Sequence, residues 1–240
     1  MTAKTTIFHI THWKAGSQWI KHLFLNLNKD RVVSPNMNDT PKDLLTNIEE
    51  GKIFSPIYSG RQEFENYIIP SNSIRFFVIR DLRDTAISYY FSLLKSHGLN
   101  PYVKKMREVL SKCSKEDGII YMLDKNISTV KDIQESWIQS GIKIFRYEDL
   151  IKNQEYELRK LLKYCEIESD ENTISKAIQK SSFKNQSKGR DLGIEDTSAH
   201  TRQGLPGDWR NHFTEKIKYE FKKIYSKHLI LTQYEKNDKW

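Results

Sequence analysis

From its first residues the chain alternates short apolar runs with stretches of helical period. Ile7-Phe8-His9-Ile10 is β-prone, and beyond Lys14-Ala15-Gly16-Ser17 the apolar residues Trp19, Ile20, Leu23, Phe24 and Leu27 recur at helical spacing. A strand, a tight turn and a helix N-terminus are predicted there. Arg31-Val32-Val33 is short and β-like, and Pro41 to Glu50 reads as a helix with Thr40 as its N-cap and Gly51 just past its end. Lys52 to Tyr58 reads as another strand, with Pro56 near its boundary. The clearest strand is Ile74 to Ile79, whose nearly continuous apolar run is that of a strand buried in a parallel sheet. It runs into Arg80-Asp81-Leu82-Arg83-Asp84, and helical period follows from Asp84 to His97, with Gly98 as the expected C-cap.

Pro101 to Gly141 reads as helices separated near Ser111 to Ser114, Ile142 to Tyr147 as a strand, and Leu150 to Tyr164 and Glu171 to Lys180 as helices. A last helix, Glu215 to His228, is capped by Thr214 and places Ile217, Phe221, Ile224 and Tyr225 on one face. Between them, residues 184–213 lose apolar period and fill with Asn, Ser, Gly, Arg and Asp. A loop of that length in a compact domain is functional or disordered. Strands alternating with helices predict a three-layer α/β/α arrangement around a central, mainly parallel sheet. At 240 residues, one domain over 1–240 is expected.

Charge narrows the partners. A formal charge of +8 favours an anion: a nucleotide, a sulfated or phosphorylated ligand, nucleic acid or a membrane surface. Much of the lysine alternates with acid, as in Glu215 to Glu220, the pattern of a solvated helix face. Two cysteines, Cys113 and Cys165, are too few for a disulfide framework and fit packing roles in a reducing compartment. With no apolar run of membrane-spanning length and no signal-peptide pattern, a soluble cytoplasmic protein is expected.

In parallel sheets, ligands bind beyond the C-terminal ends of the strands, and two predicted strand ends carry conspicuous polar residues. At the first, Lys14 adds a full charge to a helix N-terminus whose N–H groups bind phosphate. Lys14 precedes Gly16, so the turn is not a Walker A loop, and alone it equally fits an ordinary turn with a surface lysine. At the second, Arg80 offers a guanidinium fork for another phosphate and Ser88 a hydroxyl; an Arg80–Asp84 pair and a surface serine fit as well. A third cluster, Arg202 to Thr214, holds two glycines and a proline that let the backbone close over an anion, with Trp209 and Phe213 as anchors. A plain anchored loop is the alternative.

Together, in this order, the three clusters resemble the cytosolic-type sulfotransferases that use 3′-phosphoadenosine-5′-phosphosulfate (PAPS). His12-Trp13-Lys14-Ala15-Gly16-Ser17-Gln18-Trp19 is similar to the family's 5′-phosphosulfate loop. Arg80 to Tyr90 resembles its 3′-phosphate motif, which gives that role to Arg80 and Ser88. Arg202-Gln203-Gly204 followed by Gly207-Asp208-Trp209 resembles its RKGxxGDW segment, with glutamine replacing the lysine. Tyr147 and Phe183 are weaker matches to positions around the adenine.

The resemblance implies a P-loop-like sulfotransferase fold, a loop at 184–213 closing over the cofactor, and in-line transfer of a sulfuryl group to a hydroxyl or amine of a small-molecule acceptor. It implies no metal and leaves PAP, the desulfated nucleotide, as product. It also implies that Lys14 stabilises charge on the oxygen between sulfur and the 5′-phosphate. The family's histidine base has no counterpart in Lys52-Ile53-Phe54-Ser55-Pro56. His97 is the best substitute, although a histidine favoured by the dipole at a helix C-terminus accounts for it more simply; Lys52 is a candidate second charge in the site, and His12 and His200 are weaker candidates. Tyr58, Tyr89, Phe91 and Tyr102 are candidate pocket walls that fit a core equally well. A PAP-binding homologue without activity, a P-loop kinase and a basic nucleic-acid-binding module are the competing readings.

Overall fold

The computed structural model describes residues 4–34 and 48–240. The helix expected from Pro41, with its Thr40 cap, lies outside the described residues except for 48–50, which are in no helix. In chain order the main elements are β1 (Thr6–Thr11), α1 (Ser17–Asn28), β2 (Val32–Val33), β3 (Ile53–Tyr58), β4 (Ser73–Ile79) and α2 (Leu82–Phe91). They continue as α3 (Pro101–Ser111), α4 (Lys115–Met122), α5 (Ser128–Ile138), β5 (Lys143–Arg146), α6 (Tyr147–Lys152), α7 (Gln154–Tyr164), α8 (Glu171–Ser181) and α9 (Glu215–Leu231).

The five strands form one sheet in the order β2-β3-β1-β4-β5, and every pairing is parallel. Alternate residues of a strand point to opposite faces, which here divides the core in two. Ile7, Phe76, Val78 and Phe145 pack on Trp19, Ile20, Leu23 and Phe24 of α1, with α7 and α8 beyond. Phe8, Ile10, Phe54, Ile57, Phe77 and Ile79 pack on Phe64 and on Ile133 and Trp137 of α5. A third cluster joins α2, α3, α4 and α9 to Trp209 and Phe213.

Register decides where the site falls. Thr11 pairs with both Tyr58 and Val78, and Ile79 with Arg146, so β1, β3, β4 and β5 end at one edge of the sheet. The chain leaves β1 for β3 on one side and returns to β4 on the other. That reversal opens a crevice at the strand ends.

Several boundaries differ from expectation. The helix expected from Asp84 starts at Leu82, because Asp81 is its N-cap and accepts from the Arg83 N–H at 2.8 Å. Its end is a π turn, Ser92–Ser96, closed by His97 N–H donating to Ser92 O at 2.7 Å. His97 is extended and Gly98 is not left-handed, so Gly98 does not cap. The helix expected over Leu150 to Tyr164 is two helices, broken at Asn153 (φ −130°). Thr214 caps α9 as expected, accepting from Ile217 N–H at 3.3 Å.

The long segment before α9 has only a short helical turn at Phe183–Gln186 and a 3₁₀ turn at Asp208–Asn211, yet it is internally bonded. Gly193 N–H donates to Gln203 O and Asp196 N–H to Arg202 O, both at 2.9 Å. The Arg190 guanidinium reaches the carbonyls of Ile194 (2.6 Å), Thr201 (2.5 Å) and Arg202.

Candidate active site

Four strand ends deliver the site. After β1 the backbone turns at Lys14 (φ 70°) and Gly16 (φ 80°) into α1, whose N-terminus has no side-chain cap. The Ser17 hydroxyl shares a 2.7 Å hydrogen bond with Tyr58 Oη at the end of β3, and Gln18 Nε2 donates to the same oxygen at 3.4 Å. Arg80 follows β4, is buried, and donates from Nη1 to the Lys14 carbonyl at 3.0 Å. Its guanidinium lies 4.4 Å from the ring centre of Tyr147, the residue following β5.

Tyr147 touches all three predicted motifs. A Cβ on Gly16 would lie 2.9 Å from its ring, which only glycine's bare Cα allows at this positive φ. Trp19 stands edge-on to it at 6.2 Å. Its hydroxyl donates to the Gly204 carbonyl at 2.5 Å, so the loop before α9 is fastened over the strand ends. Gly204 (φ 81°) is equally constrained, since a Cβ there would lie 2.7 Å from the Phe183 ring.

The loop's charges are fixed from beneath. Arg202 ion-pairs with Glu195 and Asp208 and lies over the Phe91 ring at 4.8 Å. With its amide oriented to satisfy the network, Gln203 donates to both Asp208 oxygens at 3.0 and 3.2 Å. Burial opposes ionisation of Asp208, but hydrogen bonds from His212 and Arg202 outweigh it and hold its carboxyl well below the usual range. Asp84 does not pair with Arg80. Its carboxylate accepts from Gly207 N–H at 2.6 Å and Trp209 N–H at 2.9 Å, clasping the loop to the start of α2. Arg83 forks onto Asp81, reaches Glu235 at 2.6 Å, and lies between the rings of Trp209 (4.1 Å) and Trp240 (4.4 Å). The sequence shows an acid-base cluster at Arg80 to Asp84 but does not name the loop as its target.

Positive charge crowds at the crevice. Burial, with Arg80 and Arg202 nearby, lowers the Lys14 ammonium to about 7. Burial also opposes the Arg80 charge, but Tyr147, Asp84, Glu148 and Asp81 outweigh it and push that pKa up. The Nε atoms of Arg80 and Arg202 and Trp19 Nε1 are buried without hydrogen-bond partners. Ser88 is half-buried on α2, one turn beyond Asp84.

Two expected site residues stand elsewhere. Lys52 precedes β3, and its carbonyl accepts from Ile7 N–H at 2.9 Å, at the opposite edge of the sheet. Its ammonium contacts Asp30 O (3.2 Å) and Glu49 (3.3 Å) and is no second charge in the crevice. His12 is enclosed: burial lowers it to about 3, Nδ1 donates to Trp13 O at 2.9 Å, and Nε2 accepts from Arg80 N–H (3.3 Å) and Gln134 (2.8 Å). Of the expected pocket walls, Tyr58 (6.4 Å) and Tyr89 (5.9 Å) surround Trp13, whereas Phe91 packs on Arg202 and His212. Tyr102 is bonded to Asn126. Among the described residues, no group of three His, Cys, Asp or Glu side chains stands with metal-holding geometry.

An uncapped helix N-terminus after a left-handed turn, a buried arginine and a clasped basic loop meet at the reversal point of a parallel sheet, the place where α/β proteins of this class bind ligands. The sulfotransferase-domain model matches residues 4–233, and the chain belongs to that family of enzymes. It is 25% identical to rat sulfotransferase 1E1 over 92% of this chain and 82% of that protein. It is 28% identical to human sulfotransferase 1C2 over a shorter stretch, 33% of this chain and 30% of that one. Its fold is similar to mouse sulfotransferase SULT7A1 complexed with PAP (TM-score 0.68, 16% identity, 96% and 89% of the two chains). It is also similar to a retinol dehydratase in complex with retinol and PAP (TM-score 0.64, 16% identity, 95% and 82%).

Proposed function

We propose that the chain transfers the sulfuryl group of PAPS to a hydroxyl or amine of a small-molecule acceptor, as one domain over residues 1–240. The observation that carries this reading is the convergence of Lys14, Arg80, Tyr147 and Arg202 at one sheet edge, with both guanidinium Nε atoms and Trp19 Nε1 buried and unpartnered. Those donors fit a ligand with two anionic ends and an aromatic base. The α1 N-terminus at Gly16 to Gln18, with Lys14, takes the 5′-phosphosulfate end. Arg80 and Ser88 take the 3′-phosphate, and Arg202, Gln203 and Gly204 close over it. Trp19, Tyr147 and Phe183 flank the adenine.

PAPS supplies the activated sulfuryl group. Lys14, in the turn after β1, neutralises charge on the departing 5′-phosphate oxygen in this reading, and catalysis is otherwise positioning. The acceptor enters beside Trp13, Tyr58 and Tyr89, an apolar wall that favours a flat or apolar molecule over nucleic acid. Dispersed basic side chains support the same choice, since Lys216 and Lys218 are paired with Glu116, Asp117 and Glu215. Among the described residues no helix is long and apolar enough to cross a membrane. With both cysteines free, a cytoplasmic location is the proposed one.

Lys14→Ala tests the reading. Transfer from PAPS is expected to fall by about 10²-fold or more, with the circular dichroism spectrum unchanged. A variant retaining most activity overturns it.

A further inference from the structure

In-line transfer to a hydroxyl or amine needs a group to take the acceptor's proton, and β3 is followed by Ser59, Gly60 and Arg61, none of them a base. Tyr58 shares its hydroxyl with Ser17, and burial raises its pKa, so it stays a protonated phenol with no phenolate to take a proton. Of the seven histidines, five are committed elsewhere. His9 is buried against Phe76 and bonded to Ser55, and His12 is bonded on both nitrogens. His22 meets Gln186, His212 meets Asp208, and His228 lies between Glu135 and Gln134.

The remaining two face each other. The rings of His97 and His200 are 6.5 Å apart, centre to centre, although 103 positions separate them in the chain. Resting on the sulfotransferase reading above, we propose that His97 and His200 together form the acceptor-proton site, with His97 as the catalytic base and His200 as the residue that positions the acceptor against it. At that spacing one hydroxyl oxygen can reach both rings through hydrogen bonds of about 2.8 Å.

His97 is rigidly mounted. It follows the π turn at Ser92–Ser96, a helical irregularity that recurs at functional sites. The buried Ser92 hydroxyl lies 3.3 Å from Nδ1, and the tautomer in which Nδ1–H donates to it is the one that carries the lone pair on Nε2. Arg107 of α3 fixes the turn from behind, donating to Leu93 O and His97 O at 3.0 Å each. His200 lies in a bend held by Asp196, whose carboxylate accepts from Ser198 N–H at 2.9 Å, and by Arg190 on the Thr201 carbonyl. Lys95 donates to Thr197 at 3.2 Å and ties this bend to the π turn. The Lys14 charge reaches both rings. Burial, Lys14 and Arg107 lower His97, while Lys14, burial and His97 lower His200 to about 4, so both are free bases at neutral pH.

In the step, the acceptor O–H (or N–H) proton passes to His97 Nε2 while the acceptor atom bonds to sulfur. The bond from sulfur to the 5′-phosphate oxygen breaks, and its electron pair leaves with PAP. His200 stands two residues before Arg202, so the loop that closes over the nucleotide also completes the base.

The test uses the full chain and the variants His97→Gln and His200→Gln, with PAPS as donor and 2-naphthol, 4-nitrophenol, aniline and water as acceptor probes. PAP release is followed by mass spectrometry, PAP affinity by calorimetry, and imidazole titration by NMR on the nucleotide-free protein. The expected result is a kcat loss of about 10²-fold for His97→Gln and about 10-fold for His200→Gln, with PAP affinity within about 3-fold of wild type. The loss is smaller with 4-nitrophenol, the more acidic probe, than with 2-naphthol. In the nucleotide-free protein, Lys14→Met raises both histidine pKa values. Unchanged kcat in both variants overturns the pair, as does a matching loss of PAP affinity or histidine titrations indifferent to Lys14→Met. A wild-type chain that binds PAP and shows the coupled titrations supports the pair even where none of these probes is sulfated. A chain that neither binds PAP nor turns over PAPS overturns the sulfotransferase reading, and the pair with it.

Discussion

Lys14 carries its charge on a backbone held at φ 70°, a conformation that costs a residue with a side chain roughly 1 kcal/mol. The bend aims its carbonyl at Arg80 Nη1 and its ammonium into the same cationic crevice. A pKa of about 7 makes the charge conditional. Above that pH the free protein has largely lost the Lys14 proton, while a bound polyanion favours its return. Calorimetry of PAP binding at pH 8, repeated in buffers of different ionisation enthalpy, should therefore show proton uptake, and affinity should decline as pH rises through 7. Binding at pH 8 without proton uptake contradicts this. Which single residues belong together was partly legible from chemistry: a lysine at a strand end and an arginine at the next are readable in one dimension. Lys52 misleads because strand direction, not motif order, places it; a residue that starts a parallel strand of six residues lies about 20 Å from those that end one. His200 was barely legible, since a segment without hydrophobic period gives no sign of which way it folds back.

The loop from Arg202 to Trp209 is held by α2 as well as by its own ion pairs, since Asp84 accepts two of its backbone N–H groups. Asp84→Ala leaves the buried Trp209 N–H and the part-buried Gly207 N–H without a partner. The expected cost is about 2–4 kcal/mol of stability, read as a lower denaturant midpoint together with faster hydrogen exchange at Gly207 and Trp209. Exchange unchanged at those two amides would show that the loop is closed by something else. At this scale the strands were readable because their apolar runs are short and continuous. Helix ends were less so: the apolar period continues from α2 through the π turn to His97, and no residue type marks where five-residue hydrogen bonding replaces four. Gly98 looked like a cap only because glycine so often is one.

Over the whole molecule, the parallel sheet encloses two histidines of β1 and its following turn, His9 and His12, both fully buried and both lowered by burial to about 3 from 6.5. Between those values the unfolded chain holds protons that the folded chain does not. Stability is then fully present above pH 6.5 and is lost as pH falls toward 3, by up to about 1.4 kcal/mol per pH unit for each ring. Denaturant midpoints from pH 7 to 4 should show this slope, and His9→Gln should make it shallower; a flat profile contradicts it. The layers and the mainly parallel sheet were legible as a class from alternating elements, whereas the strand order was not. The crevice itself was not, because it exists only where register brings four strand ends level. Tyr147 stands at that point, with Gly16, Arg80 and Gly204 against one ring and its hydroxyl. Three segments spread over some 190 positions thus share one energetic term. Their contributions to nucleotide affinity are not separable sums, and the apparent worth of any one segment depends on whether the other two still hold the same tyrosine in place.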